Sequence, residues 1–186
     1  NGLIDINAPI TLGADVVISS GTGTGNVEFS STIAGTQDLD IVSGTGAVTI
    51  TGNIGGGGAL TSLDINPSTG SGNISILGNI GADGTSGAGI VNIGNSSTGS
   101  ITLGTSGTES EYFTTGAQTY YAATYSLVGT DPDFNASSEN IKFLDGASGI
   151  TLATGSDLTV DTAQNQDGNI TIEGAIESTS GQTTTV

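Results

Sequence analysis

Apolar and polar residues alternate along short segments that recur through the chain. GAVTITGNIGG (46–56) is followed by GNISILGNIGA (72–82) and, much later, by GNITIEGAIES (168–178). All three fit one unit, Gly-x-apolar-x-apolar-x-small-x-apolar, in which the residue between the first two apolar positions is polar. Copies of this unit begin at Gly2, Gly25, Gly46, Gly72 and Gly168, with degenerate copies at Gly99 and Glu139. An apolar period of two predicts short β-strands with one buried face.

The spacing of the units predicts their number. Successive copies begin at similar intervals as far as Gly99, and the longer interval from Gly99 to Glu139 has room for two units. A decayed unit is therefore expected near 117–119. There the segment TYYAATYSL (119–127) would place four side chains on one face: Tyr121, Ala123, Tyr125 and Leu127. The count predicts about eight turns, each of roughly 20–29 residues, a period that is typical of repeat architectures.

Two further apolar columns follow the first pair within each unit. One is a single residue, at Ile10, Ile33, Ile54, Ile80 and Ile176. The other is an apolar-x-apolar pair, at Val16/Ile18, Leu39/Ile41, Leu63/Ile65 and Leu158/Val160. Three inward strands per turn predict an all-β, right-handed parallel β-solenoid (β-helix) that forms a single domain over residues 1–186, in which each turn stacks on the last. Glycine permits unusual corner angles. Asn26, Asn73 and Asn169 stack in a polar ladder, satisfy backbone amides at the corners, or simply favour turns.

The charge balance narrows the classes of function. The chain has eighteen carboxylates and one basic side chain, Lys142, so its formal net charge is −17. A field of this sign repels nucleic acid and anionic membrane surfaces, and no apolar run is long enough to insert into a bilayer. The chain has no Cys or Met. This acidic, Gly-, Thr- and Ser-rich composition favours an extracellular location on a bacterial cell surface.

Three segments carry a resemblance to a known family: GTGNVEFSSTIAGTQDLDI (23–41), GGGGALTSLDI (55–65) and TTGAQTYYAATYSL (114–127). They resemble the repeat regions of large filamentous-haemagglutinin-like surface proteins and adhesins of Gram-negative bacteria. The resemblance extends over nearly the whole chain. It implies an extended β-helical shaft, exported across the outer membrane, with binding functions placed in other segments.

A divergent aromatic and acidic segment, 105–147, contains two candidate sites. In DPDFNASSE (131–139), oxygen-bearing side chains alternate as at the start of a calcium loop, although Ala136 and Lys142 stand where an EF-hand needs Gly and Glu. The candidate calcium ligands are Asp131, Asp133, Asn135 and Glu139, and the alternative is a solvated acidic loop. The candidate contact patch for a glycan or protein is Tyr112, Phe113, Tyr120 and Phe134, and its alternative is internal packing.

Paired carboxylates are the third candidate: Asp38/Asp40, Asp157/Asp161 and Glu173/Glu177. Two carboxylates can serve as acid and base in glycoside hydrolysis, but solenoid enzymes acting on acidic polysaccharides also call for basic side chains. We therefore expect no enzyme and interpret the pairs as solvated faces. An outward Thr column would suggest ice binding, and Asp5, Glu28 and Lys142 are expected to interrupt it.

The sequence leads to two main hypotheses of function. The first is a structural segment of an extracellular adhesin or surface filament. The alternative is a self-assembling, calcium-dependent surface-layer or sheath subunit, and a weaker third is a β-helix that binds or cleaves polysaccharide. No cofactor is expected other than calcium. Since no cap is evident before Gly2 or in the closing QTTTV, the expected partners are another copy stacked end to end or flanking repeats of a longer chain.

Overall fold

Short strands follow one another along the whole chain, as expected where apolar residues alternate with polar ones. The structure, a computed structural model, describes residues 2–81, 85, 87–137, 139–145, 147–162 and 168–178. The strands are β1 (Ile4–Ile6), β2 (Ile10–Leu12), β3 (Val16–Ser19), β4 (Val27–Phe29), β5 (Ile33–Gly35), β6 (Asp38–Val42), β7 (Val48–Ile50), β8 (Leu60–Ile65), β9 (Ile74–Ile76), β10 (Ala88–Gly94), β11 (Ser100–Leu103), β12 (Glu109–Thr114), β13 (Gln118–Tyr121), β14 (Thr124–Leu127), β15 (Thr130–Ala136), β16 (Ile141–Leu144), β17 (Ile150–Leu152), β18 (Thr159–Asp161), β19 (Ile170–Ile172) and β20 (Ile176–Ser178). Among these described residues, no helix has the length and hydrophobicity that a membrane span requires.

The first face of the molecule is one parallel sheet of eight strands, in the order β1-β4-β7-β9-β11-β14-β17-β20. Register partners on this face are closest in sequence where Val27 pairs with Val48. They are farthest apart in sequence where Ile74 pairs with Ile101. Eight stacked strands of one face enclose seven complete turns, so the predicted β-solenoid is confirmed at about the predicted number of turns.

Two further faces complete each turn. The second face carries β2 and β5, then single bridges at Ile54 and Ile80, and then β12, β15 and β18. The third face carries β3, β6, β8, β10, β13, β16 and β19, again all parallel. The prediction of three strands per turn is therefore correct.

A single hydrophobic cluster fills the centre of the solenoid. Ile, Val and Leu dominate it through the first four turns, where Phe29 is the one aromatic member, and aromatic side chains become frequent from β12 onward. Side chains of the first and last turns are only partly buried against this cluster: Ile4, Ile6, Ile10, Leu12, Val16, Ile18, Leu158, Val160, Ile172 and Ile176. The segment that ends in QTTTV lies outside the described residues.

The last three turns differ from the predicted assignment of strands to faces. The repeat pattern assigns Ile141–Leu144 and Ile170–Ile172 to the first face, but both lie on the third, where they pair with each other. Val160 pairs with Phe134 on the second face, and Ile176 pairs with Ile150 on the first. The strand Ile150–Leu152 is not among the predicted units, although its ITL sequence also occurs at 10–12 and 101–103.

Corner length explains these differences. In the first four turns, a short corner leads from the first face to the second, as from Ile74 to Ile80. In the last turn a corner of the same length leads from Ile170 to Ile176, between the third face and the first. The repeated unit therefore corresponds to two strands joined by a short corner. In the early turns this corner joins the first and second faces, and in the last turn it joins the third and first faces.

Asparagine side chains tie successive turns together at the corners. Asn26 Oδ1 accepts a hydrogen bond from Ala47 N of the next turn at 3.0 Å. Asn140 Oδ1 accepts one from Asn169 N at 2.8 Å. Both bonds satisfy a backbone amide at a corner, which is the role expected for Asn26. The residue stacked on Asn26 is Ala47, so Asn26 does not begin a ladder of asparagine side chains. Asn169 takes part through its backbone amide.

Candidate functional site

The four candidate calcium ligands are not brought together. Asp131, Asp133 and Asn135 lie at alternate positions of β15, and Glu139 lies beyond the end of that strand. Extended strand at about 3.3 Å per residue separates Asp131 from Asn135. Asp131 Oδ1 instead accepts a hydrogen bond from Asp157 N of the next turn at 2.9 Å. In the described part of the chain, no three His, Cys, Asp or Glu side chains are grouped as a metal site requires.

Asp133 belongs to an acidic ladder that sequence reasoning missed. Its register partners are Glu111 in one adjacent turn and Thr159 in the other. Burial raises the pKa of Asp133, and the carboxylates of Glu111, Asp161 and Glu109 raise it further. The signal was present in the sequence as ESE at 109–111, but the register that stacks it on Asp133 depends on the corner lengths.

The candidate contact patch is internal, so the prediction that it faces solvent is wrong. Tyr112, Tyr120 and Phe134 are fully buried, and Phe113 is only 8% exposed. The rings of Tyr112 and Phe134 stack with their centroids 4.6 Å apart. Tyr120 and Phe143 stack at 5.0 Å. The alternative of internal packing is therefore correct, and these rings form part of the core of the fifth and sixth turns.

The predicted register of 119–127 also fails, because the chain turns a corner there. Tyr120 and Ala122 point into the core, whereas Tyr121 and Ala123 are partly exposed. The strand β13 ends at Tyr121 and β14 begins at Thr124, so one alternating face does not run through the segment. Tyr125 and Leu127 are buried as predicted.

Hydrogen bonds hold Gln118 and the hydroxyl groups of Tyr120 and Tyr125 within this aromatic core. Gln118 is fully buried and its Nε2 donates to the carbonyl oxygens of Tyr112 at 2.7 Å and Asn135 at 2.8 Å. The Tyr120 hydroxyl donates to Gln118 Oε1 at 3.0 Å. The Tyr125 hydroxyl accepts from Ala122 N at 2.9 Å, and burial raises the pKa of Tyr125 to about 12. These groups have structural partners and are fixed in place.

The paired carboxylates lie on the outer surface and in the corners. Asp38 Oδ1 accepts a hydrogen bond from Ser62 Oγ at 2.9 Å. Asp40 stacks on Asp64 of the next turn, and burial, followed by the carboxylates of Asp64, Asp38 and Asp15, raises the pKa of Asp40. At the other end of the chain, Glu173 Oε2 accepts from Asp145 N at 2.7 Å.

The outward column of the first face also differs from its prediction. Lys142 lies on the third face, between Thr119 and Thr171, and does not interrupt this column. The hydroxyl residues therefore run without a break through five turns: Thr49, Ser75, Thr102, Ser126 and Thr151. Charged residues, Asp5 and Glu28 before them and Glu177 after them, bound the column.

A groove at the corner between the third face and the first was not predicted. It has a volume of about 390 Å³ and lies across the first four turns, between the ends of β3, β6, β8 and β10 and the loops that follow them. Its lining is mostly Ser, Thr and Gly, with Asn95 and Val42. Such residues are typical of any turn, so the sequence contains no signal that sets this corner apart.

Comparison with known proteins adds no relative. No protein-family model, curated protein or solved structure matches the chain.

Proposed function

We propose that the chain is a structural, non-enzymatic β-solenoid segment of an extracellular bacterial adhesin or surface filament. Its role is to extend the adhesin or filament away from the cell surface and to make it stiff. The observation that supports this role is the ladder of the first face, in which eight parallel strands pair in sequence order. Backbone hydrogen bonds therefore run along the axis of the stack, and seven turns at about 4.8 Å give a length of about 34 Å.

Antibody labelling of the source bacterium tests this proposal. Antibodies raised against the purified chain should label intact cells as strongly as permeabilised cells, because a surface shaft is accessible without breaking the envelope. Labelling that requires permeabilisation would contradict it. A strain lacking the gene serves as the control.

A calcium-dependent surface-layer or sheath subunit is the second candidate. The acidic ladder of Glu109, Glu111, Asp133 and Asp161 favours it, because calcium between neighbouring copies would neutralise such a surface. Light scattering distinguishes the two candidates. Calcium should leave a shaft segment at the mass of one chain, whereas a lattice subunit should polymerise.

A further inference from the structure

The groove at the corner between the third and first faces has a fixed shape. The connection from Ile65 to Ile74 is longer than the one from Val42 to Val48, and it carries Ser68–Ser71 outward as one wall. Asn95 and the adjoining Ser97 contribute another part of the lining. The groove thus arises where loops of four successive turns meet.

Buried hydrogen bonds hold the loops beneath the groove. Ser43 and Asn66 are both fully buried. Asn66 Oδ1 accepts from Ser43 N at 2.9 Å, and Asn66 Nδ2 donates to Ser43 Oγ at 3.0 Å. Asn95 Nδ2 donates to the carbonyl oxygens of Asn66 at 2.7 Å and Gly70 at 2.8 Å. Because three turns are tied together in this way, a ligand would meet a preformed surface.

The chemistry of the lining contrasts with that of the whole chain. Of its twelve residues seven are Ser or Thr, and within the described residues it includes no charged side chain. The chain as a whole carries a net charge of −17. The groove therefore exposes the methyl and methylene carbons of small residues together with hydroxyl and backbone groups. The surrounding field is negative and disfavours anions, and the lining lacks the carboxylates that a metal ion needs.

We propose that this groove binds a short, uncharged saccharide. A volume of about 390 Å³ falls in the usual range of small-ligand sites, about 300–1,000 Å³. Hydroxyl groups that both donate and accept match the hydroxyls of a neutral sugar. The proposal is independent of the structural role, since a shaft segment that binds no sugar still projects and stiffens.

Saturation-transfer NMR on the purified chain tests the proposal. The probes are lactose, maltotriose and chitotriose, with sialyllactose as the anionic counterpart of lactose. We expect saturation transfer to at least one neutral probe, and weaker transfer to sialyllactose than to lactose if lactose binds. An absence of transfer to all three neutral probes would overturn the proposal.

Two pairs of variants locate the binding. Thr22 lines the groove, whereas Thr24 is exposed in the same loop and does not line it. Thr22→Tyr should fill the groove and weaken binding about tenfold or more, whereas Thr24→Tyr should leave binding unchanged. Ser97→Tyr and Ser96→Tyr form a second pair at the other wall, in case one substitution impairs folding.

The pattern across the variants decides the outcome. Circular dichroism and melting temperature first establish that each variant is folded. The groove is supported as the site if Thr22→Tyr or Ser97→Tyr loses binding while its control variant, Thr24→Tyr or Ser96→Tyr, still binds. Equal binding by folded lining and control variants would place the saccharide elsewhere and overturn the assignment.

Discussion

At the scale of single residues, the glycine that begins each early unit has a role the sequence did not reveal. Gly25, Gly46 and Gly72 stack on one another, and none of them has a positive φ. A Cβ atom added to Gly46 would lie 2.1 Å from the carbonyl oxygen of Gly25, and one added to Gly72 would lie 1.7 Å from that of Gly46. The backbones of adjacent turns therefore approach too closely here for any side chain.

Replacement of Gly46 by Ala should destabilise the fold. The new methyl group meets backbone of the preceding turn, which has no flexible side chain to move, so we expect a loss of about 1–3 kcal/mol in the free energy of unfolding. Chemical denaturation monitored by circular dichroism measures this change.

Gly56 provides the matched control. It is exposed, its φ is not positive, and a Cβ atom there would meet nothing within 4 Å. Gly56→Ala should therefore stabilise the chain by about 0.4–1 kcal/mol, because it restricts the unfolded state. Equal effects of the two substitutions would show that the glycine column is not closely packed.

At the scale of strands, the sequence predicts inward and outward positions well where the corners are short and regular. Ile74 and Ile76 are buried with Ser75 between them, as the period of two requires. The prediction fails for Tyr120 because a corner at Ala122 and Ala123 resets the alternation. A pattern in sequence shows that strands exist, but the stacking partner of each strand depends on every corner length before it.

The outward ladder of Asp40 and Asp64 should make stability depend on pH. The folded state raises the pKa of Asp40 above its ordinary value of 3.8, so the native chain binds this proton more tightly than the unfolded chain. The resulting stability is present at low pH and is lost as the pH rises through the raised pKa. The pKa of Asp133 is also raised, so this group changes the stability in the same direction. We expect the melting temperature to increase as the pH is lowered from about 7 to about 4.5.

Asp64→Asn isolates the contribution of this ladder. Asn92 Nδ2 donates to Asp64 Oδ1 at 2.7 Å, and an amide oxygen at position 64 can still accept this bond. The variant should melt at a higher temperature near neutral pH and show a shallower dependence on pH. Glu177→Gln, at an exposed strand position, should leave the dependence nearly unchanged. Parallel curves for Asp64→Asn and the unsubstituted chain would rule out repulsion between Asp40 and Asp64.

At the scale of the whole molecule, the fold was predictable and the groove was not. A solenoid suits a short repeat that leaves an apolar edge on each unit, because the stacked turns bury that edge against one another. The groove depends on how far loops such as 66–73 extend beyond their neighbours in adjacent turns. The length of a loop can be read from the sequence, but the path that the loop takes over its neighbours cannot.

The excess of carboxylates should make the stability of the whole chain depend on salt. With 18 acidic side chains and one basic one, repulsion opposes the compact state, and added ions screen it. We expect the melting temperature to rise with sodium chloride concentration. Calcium and magnesium should have equal effects at equal ionic strength, since the described carboxylates form no group suited to hold a metal ion. A larger increase with calcium, accompanied by light scattering from assemblies, would contradict this expectation and favour the calcium-dependent lattice over the shaft.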